Sequence, residues 1–172
     1  DAYKDNPDLF IKRLESFGLT KKLGVSIAGE AVPKFNIPGS KGWSGISLPW
    51  MAIGYEFEQT PLQTLVFYNA VANNGKMLRP QFVKQIVQNG KAVKEFSSDV
   101  LISKVCSEST IETLKNCMIG VMKKGGTGEK LTSTQFEIAG KTGTAKLLNE
   151  TNQYDGRNKG KYQASFVGFF PA

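Results

Sequence analysis

The sequence contains no histidine among its 172 residues. This absence excludes Ser-His-Asp triads, histidine-ligated metal sites and imidazole proton shuttles, because each of these needs an imidazole ring. No apolar run approaches the roughly 20 residues that span a bilayer. We expect neither a metal nor a cofactor.

Cysteine is scarce as well. Cys106 and Cys117 allow at most one disulfide. If both lie on one helix, their separation in sequence corresponds to roughly 16 Å along the axis, which is too far for a disulfide bond. We therefore expect two buried, free thiols.

The charge is basic but not organised into a stripe. Lysine and arginine outnumber aspartate and glutamate by 22 to 15, a net charge of +7. The basic residues are scattered, without interleaved aromatic residues, and no RNA- or DNA-binding signature is present. This pattern indicates a solvated basic surface, and we expect no nucleic-acid partner.

Start and stop signals predict three helices and a hairpin. Helices are predicted from Asn6-Pro7-Asp8, from the capping box Thr60-Pro61-Leu62-Gln63 and from Ser109-Thr110-Ile111-Glu112. Asn89-Gly90 between two alternating runs predicts a β-hairpin over residues 82–96. Residues 19–50 are irregular and rich in glycine and proline. The elements predict an α+β fold in one domain, residues 1–172.

The most informative stretch is Ala139-Gly140-Lys141-Thr142-Gly143-Thr144-Ala145-Lys146. Phe136-Glu137-Ile138 alternates in polarity and predicts the start of a strand. On an extended backbone Thr142 and Thr144 share a face, and Gly143 lets a ligand's backbone approach closely. Lys141 adds a positive charge at the same edge. This surface is suited to a carboxylate attached to a peptide backbone.

Two other interpretations compete for this stretch. A phosphate-binding loop that ends in Gly140-Lys141-Thr142 needs a glycine at position 135, which is Gln135. The intervening residues are strand-like, and Gly143 is a poor start for the helix that should follow. The other interpretation is a surface strand in which the four residues occur by chance.

The flanking residues resemble the penicillin-binding proteins, whose transpeptidase domain carries a Lys-Thr-Gly motif on a strand beside the active site. The resemblance covers nearly the whole chain and is closest to class B, monofunctional members of the cell-division (septal) type. The matching segments are Gly54-Tyr55, Thr60 to Gln63, Ala72 to Gly75, Arg79-Pro80, Gly126-Thr127-Gly128, Ile138 to Ala145 and Ala164 to Ala172.

The resemblance implies a fold and residue roles. The fold is that of penicillin-binding proteins and serine β-lactamases, an antiparallel sheet with helices against it. Lys141 would be a catalytic residue in the hydrogen-bond network of the active site. Thr142 and Thr144 would bind the substrate carboxylate, Gly143 would keep the strand edge open, and the Thr144 N–H would be one oxyanion donor.

The catalytic serine that this family requires is missing. No serine of the chain has a lysine three residues later or an asparagine two residues later, so the S-x-x-K and S-x-N motifs are absent. We expect these motifs upstream of Asp1 and a final strand and helix after Ala172. The chain would then be a slice of the domain, incomplete at both ends and inactive alone.

The resemblance also implies partners and a location. The parent protein would bind β-lactams and the D-Ala-D-Ala ends of peptidoglycan stem peptides, and would contact divisome proteins. It would work on the extracytoplasmic side of the inner membrane, with its anchor upstream of this chain. Strand edges exposed in the slice favour dimerisation. The alternatives are a β-lactamase or β-lactam sensor and a non-catalytic module that binds peptide carboxylates.

Overall fold

The computed structural model describes residues 2–147 and 160–172. The chain forms two compact units, Asp1–Glu108 and Ser109–Ala172. Helices and antiparallel strands occur in both, and the strands of the described residues form four separate two-stranded ladders. The α+β prediction is confirmed. The polar segment from Leu147 to Lys161 lies almost entirely outside the described residues.

The first unit contains three helices and six short strands. Helix α1 begins at Pro7, as predicted, although Asn6 makes no capping hydrogen bond through its side chain. The irregular segment that follows is fastened by Arg79, whose Nη1 donates to the carbonyls of Leu23 at 2.8 Å and Gly24 at 2.6 Å. The elements are α1 (Pro7–Ser16), β1 (Lys34–Phe35), α2 (Ser47–Ala52), β2 (Phe57–Glu58), α3 (Pro61–Ala72), β3 (Met77–Leu78), β4 (Gln85–Gln88), β5 (Lys91–Glu95) and β6 (Val100–Ile102).

Helix α3 begins with the predicted capping box. The Gln63 N–H donates to Thr60 Oγ1 at 3.2 Å, and the Thr60 N–H donates to Gln63 Oε1 at 2.8 Å. These two bonds satisfy backbone donors that the first helical turn leaves without partners. Val66 and Ala70 are buried, whereas Leu65 is 51% exposed. Although most residues of α3 are apolar, the helix is therefore not buried on every side.

The predicted hairpin is present and stands in solvent. Asn89 and Gly90 both have positive φ, 50° and 76°, as a type I′ turn requires. Strands β4 and β5 pair antiparallel, and every residue of both is exposed. Local turn chemistry, not burial, accounts for this hairpin.

The second unit places a helix and a loop beside one long hairpin. Helix α4 (Glu108–Met122) begins one residue before the predicted Ser109 and buries Ile111, Met118 and Met122. A 3₁₀ helix (Glu129–Leu131) follows. Strands β7 (Ala139–Lys146) and β8 (Tyr162–Phe169) then pair antiparallel over their full length.

The predicted start of the long strand is wrong. Residues 136–138 are not β-structure, and β7 begins at Ala139. The opposite segment explains this: beyond Phe169 the chain reaches Pro171, which has no N–H to extend the ladder. The two segments still run together, since Phe136 stacks on Phe170 at 4.5 Å between ring centroids. The Ala172 N–H also donates to the Glu137 carbonyl at 3.1 Å.

Both cysteines are free, as predicted. They are not both buried: Cys106 is half-buried and Cys117 is exposed. Cys106 precedes helix α4, so the two do not share a helix. Among residues 2–147 and 160–172, none of the helices combines the length and the hydropathy of a membrane span.

The capping box predicts a specific loss of stability. Thr60→Ala removes the acceptor of the Gln63 N–H and should lower the free energy of unfolding by about 1 kcal/mol. Thr64→Ala is the matched control, because Thr64 lies inside the helix, where alanine is favourable. Urea unfolding of both variants tests the difference. Equal stability of the two would show that the box contributes nothing.

Candidate functional site

The register of β7 and β8 determines which side chains of the Lys-Thr-Gly-Thr segment share a face. Lys141 lies opposite Val167, Thr142 opposite Phe166, and Gly143 opposite Ser165. Residues opposite each other in an antiparallel ladder project to the same face, and successive residues alternate. Thr142 and Thr144 therefore share one face, as predicted, and Lys141 starts from the other.

The Lys141 ammonium nevertheless contacts the backbone of its own strand. Its Nζ donates to the Thr142 carbonyl at 2.7 Å. The side chain is exposed, so this bond is a local contact at the surface of the strand. The charge is thus located close to the backbone of the threonine segment, although the side chain leaves from the opposite face.

Thr142 is paired with a hydroxyl from another segment. Its Oγ1 lies 2.7 Å from Thr127 Oγ1, and either oxygen is able to donate. Thr127 is the central residue of the Gly126-Thr127-Gly128 loop that follows helix α4. The structure therefore brings the loop and the strand together at the hydroxyl expected to bind a carboxylate.

The loop is held against the end of α4 by backbone contacts. The Gly128 N–H donates to the Val121 carbonyl at 2.9 Å, and the Gly126 N–H donates to the Lys123 carbonyl at 2.8 Å. A Cβ at Gly126 would come within 2.2 Å of the Val121 oxygen. One at Gly128 would come within 2.7 Å of the Met122 sulfur. Glycine is needed on both sides of Thr127 because the loop folds directly onto the helix end.

A second close contact fixes the strand pair next to the site. The Phe166 ring lies across Gly140 and Gly168, within 2.5 Å and 2.9 Å of where their Cβ atoms would be. The ring covers two residues that have no side chains of their own. This arrangement holds β7 and β8 together directly before Lys141.

Gly143 lies beneath a serine of the neighbouring strand. A Cβ at this position would come within 2.5 Å of Ser165 Oγ. Because a serine hydroxyl is able to rotate away, this contact does not by itself require glycine, and the approach of a ligand stays the predicted reason for Gly143. Thr144 lies opposite Ala164 and is exposed.

The outer edge of β7 is available for pairing. Within the described part of the chain, β7 pairs only with β8. Backbone amides and carbonyls of alternate residues point away from the partner strand, toward the open edge. Such an edge is able to accept an extended peptide as an additional strand, with nearby side chains for its polar groups.

Thr127 is the site residue that sequence reasoning did not assign. In the sequence, Gly126-Thr127-Gly128 is only one of the segments that resemble the family. The available signal was a threonine between two glycines just after a helix, but its contact with Thr142, fifteen positions later, depends on how the loop folds back.

Fold and motif together define an α+β protein with a Lys-Thr-Gly strand at an open sheet edge. The penicillin binding protein transpeptidase domain matches residues 2–172. The chain belongs to this family.

Similar proteins agree with this family. The penicillin-binding protein PbpB of Mycolicibacterium smegmatis is 31% identical over 99% of this chain and 26% of its own length. The peptidoglycan D,D-transpeptidase FtsI of Buchnera aphidicola is 33% identical over 90% of this chain and 25% of its own. Penicillin-binding protein 3 of Mycobacterium tuberculosis, in complex with ampicillin, has a TM-score of 0.77 and 28% identity over 95% of this chain and 36% of that one. The chain spans about a quarter of the length of these two sequence relatives.

The loop geometry predicts opposite effects for two glycines of the second unit. Gly126→Ala should lower the free energy of unfolding by about 1–3 kcal/mol, because its Cβ meets a backbone carbonyl that is already hydrogen-bonded. Gly120→Ala, inside α4 with nothing within 4 Å of the new Cβ, should raise it by about 0.5–1 kcal/mol. Urea unfolding measures both. If Gly126→Ala is as stable as the wild type, the loop does not fold tightly onto the helix.

Proposed function

We propose that this chain is the C-terminal portion of a peptidoglycan D,D-transpeptidase, the part that binds the substrate carboxylate. The observation that carries the proposal is the Lys-Thr-Gly-Thr strand on an open edge, with the Thr142 hydroxyl held by Thr127 and the Lys141 ammonium on the Thr142 carbonyl. Family membership over residues 2–172 supports it. We also propose that both compact units are parts of one transpeptidase domain, as the prediction of a single domain over residues 1–172 requires.

The residues have distinct roles in the proposed reaction. The peptide lies along the open edge of β7, and its terminal carboxylate accepts hydrogen bonds from the Thr142 and Thr144 hydroxyls. Lys141 supplies positive charge for that carboxylate and joins the hydrogen-bond network of the other motifs. Gly143 leaves room for the peptide backbone, and the Thr144 N–H donates to the developing oxyanion.

The nucleophile comes from outside this chain. In the proposed reaction a serine of an S-x-x-K motif attacks the penultimate D-alanine carbonyl, and its proton passes to a base. The C–N bond then breaks, and the terminal D-alanine leaves as an amine. An acceptor amine attacks the acyl-enzyme, restoring the serine and forming the cross-link. The isolated chain has no such serine and should be inactive.

The wider setting follows from the same proposal. The parent protein acts at the extracytoplasmic side of the inner membrane, from an upstream anchor, as a class B enzyme of cell division. Its partners are stem peptides, β-lactams and divisome proteins. The solved complex of penicillin-binding protein 3 with ampicillin supports the β-lactam part. Exposed edges, such as those of β4 and β5, favour dimerisation of the isolated chain.

Two alternatives are distinguishable by simple measurements. An open strand edge in a chain without the S-x-x-K motif also fits a module that binds peptide carboxylates without catalysis. Such a module predicts measurable affinity of the isolated chain for D-Ala-D-Ala peptides, whereas the transpeptidase proposal predicts little. A β-lactamase would hydrolyse its acyl adduct rapidly, whereas a transpeptidase or a sensor keeps it.

The proposed role of the Lys141 charge in acylation is directly testable. In the full-length protein, Lys141→Ala should slow acylation by penicillin by at least about a hundredfold, because a charge-assisted interaction in the transition state is lost. Lys146→Ala removes the same charge from the same strand, roughly 16 Å further along, and should leave the rate within a few-fold. Labelling with fluorescent penicillin measures both rates.

The same experiment locates the adduct. Mass spectrometry of the labelled wild-type protein should find the penicilloyl group on a serine outside this chain. Absence of any adduct on the folded wild-type protein would overturn the transpeptidase proposal. An unchanged rate in Lys141→Ala, with the wild type labelled, would overturn only the role of Lys141.

A further inference from the structure

We propose that Thr127 is a positioning residue for the substrate carboxylate, acting through the hydroxyl of Thr142. The inference rests on the proposed function, because it concerns the same carboxylate site. Its basis is the 2.7 Å contact between Thr127 Oγ1 and Thr142 Oγ1. That distance lies at the short end of ordinary hydroxyl–hydroxyl hydrogen bonds.

Counting protons fixes the direction of this bond when substrate is bound. A threonine hydroxyl has one proton to donate and two lone pairs to accept with. A carboxylate only accepts, so Thr142 must give its one proton to the substrate. Toward Thr127 it is then able only to accept, and Thr127 becomes the donor. The result is a chain of two hydrogen bonds from Thr127 through Thr142 to the carboxylate.

These two linked hydrogen bonds favour carboxylate binding in two ways. The bond from Thr127 removes the orientation in which Thr142 donates away from the substrate, so the Thr142 proton is aimed before the substrate arrives. A hydroxyl that accepts a hydrogen bond is also a better donor, because the two bonds polarise each other. Both effects are lost when the Thr127 hydroxyl is removed.

The surroundings hold Thr127 in this position. The loop is fastened to α4 by the Gly128 N–H on the Val121 carbonyl, at 2.9 Å. Gly126 lies too close to the same carbonyl to carry a side chain. Thr142 is on a strand paired over its full length with β8. Both threonines therefore lie on hydrogen-bonded backbone, and each hydroxyl is separated from that backbone by one rotatable bond.

The test is a double-mutant cycle in the full-length protein with benzylpenicillin. Thr127→Val should slow acylation by about three- to tenfold, the effect of one net hydrogen bond. Thr142→Val should slow it further. Thr127→Val should then have no additional effect in the Thr142→Val background, because it acts only through the Thr142 hydroxyl. Thr127→Ser keeps the hydroxyl and should restore the rate to within about twofold of the wild type.

A second substrate separates positioning from a general structural role. The methyl ester of benzylpenicillin keeps a neutral carbonyl acceptor but has no carboxylate charge, so Thr127→Val should slow its already slower acylation by less than it slows that of benzylpenicillin. A loop that is merely distorted would slow both compounds equally. Thr127→Ala removes the hydroxyl without adding a branched apolar group, and it replaces Thr127→Val if the valine variant does not fold.

The experiment distinguishes failure of the inference about Thr127 from failure of the proposed function. If the wild type is acylated and Thr127→Val and Thr127→Ala match its rate, the inference is overturned and the transpeptidase proposal stands. Equal slowing in the wild-type and Thr142→Val backgrounds, or equal slowing with the ester, would also overturn it. If the wild type is not acylated at all, the proposed function fails and the inference fails with it.

Discussion

The pairing of β7 with β8 fixes the positions of the lysine and the threonines of the candidate site. Eight residues of each strand match without a register shift, from Ala139 against Phe169 to Lys146 against Tyr162. Because side chains alternate along a strand, a slip of one residue would exchange the faces of the lysine and the threonines. The Phe166 ring over Gly140 and Gly168 favours the observed register, since only glycine fits beneath it.

A second, smaller constraint joins the helix to the strand. Helix α4 ends in a loop that folds back onto its own last carbonyls, and this fold is possible because Gly126 and Gly128 have no side chains. Thr127 is thereby placed against Thr142. The proposed carboxylate site thus depends on three local structures of one compact unit: a helix end, a glycine loop and a strand.

The arrangement agrees with the proposed role of this chain in the family's domain. The Lys-Thr-Gly strand carries hydroxyls, a charge and an open backbone edge, which are groups suited to binding and orienting a peptide. A nucleophile is a separate requirement, and no S-x-x-K motif occurs in the sequence. Binding and bond-making groups in acyl transfer are commonly supplied by different segments, because orientation and nucleophilic attack are different physical tasks.

Features that rest on local chemistry are readable from the amino-acid sequence. The capping box at Thr60, the type I′ turn at Asn89-Gly90 and the alternation of Thr142 and Thr144 were all predictable, because each depends on residues within a few positions of one another. The start of β7 at Ala139 depends instead on contacts between segments, since Pro171 on the opposite segment sets the limit. The tertiary structure alone placed Thr127 on Thr142 and exposed Leu65 on an apolar helix, because contacts between distant segments depend on how loops fold back and on which faces find a neighbour.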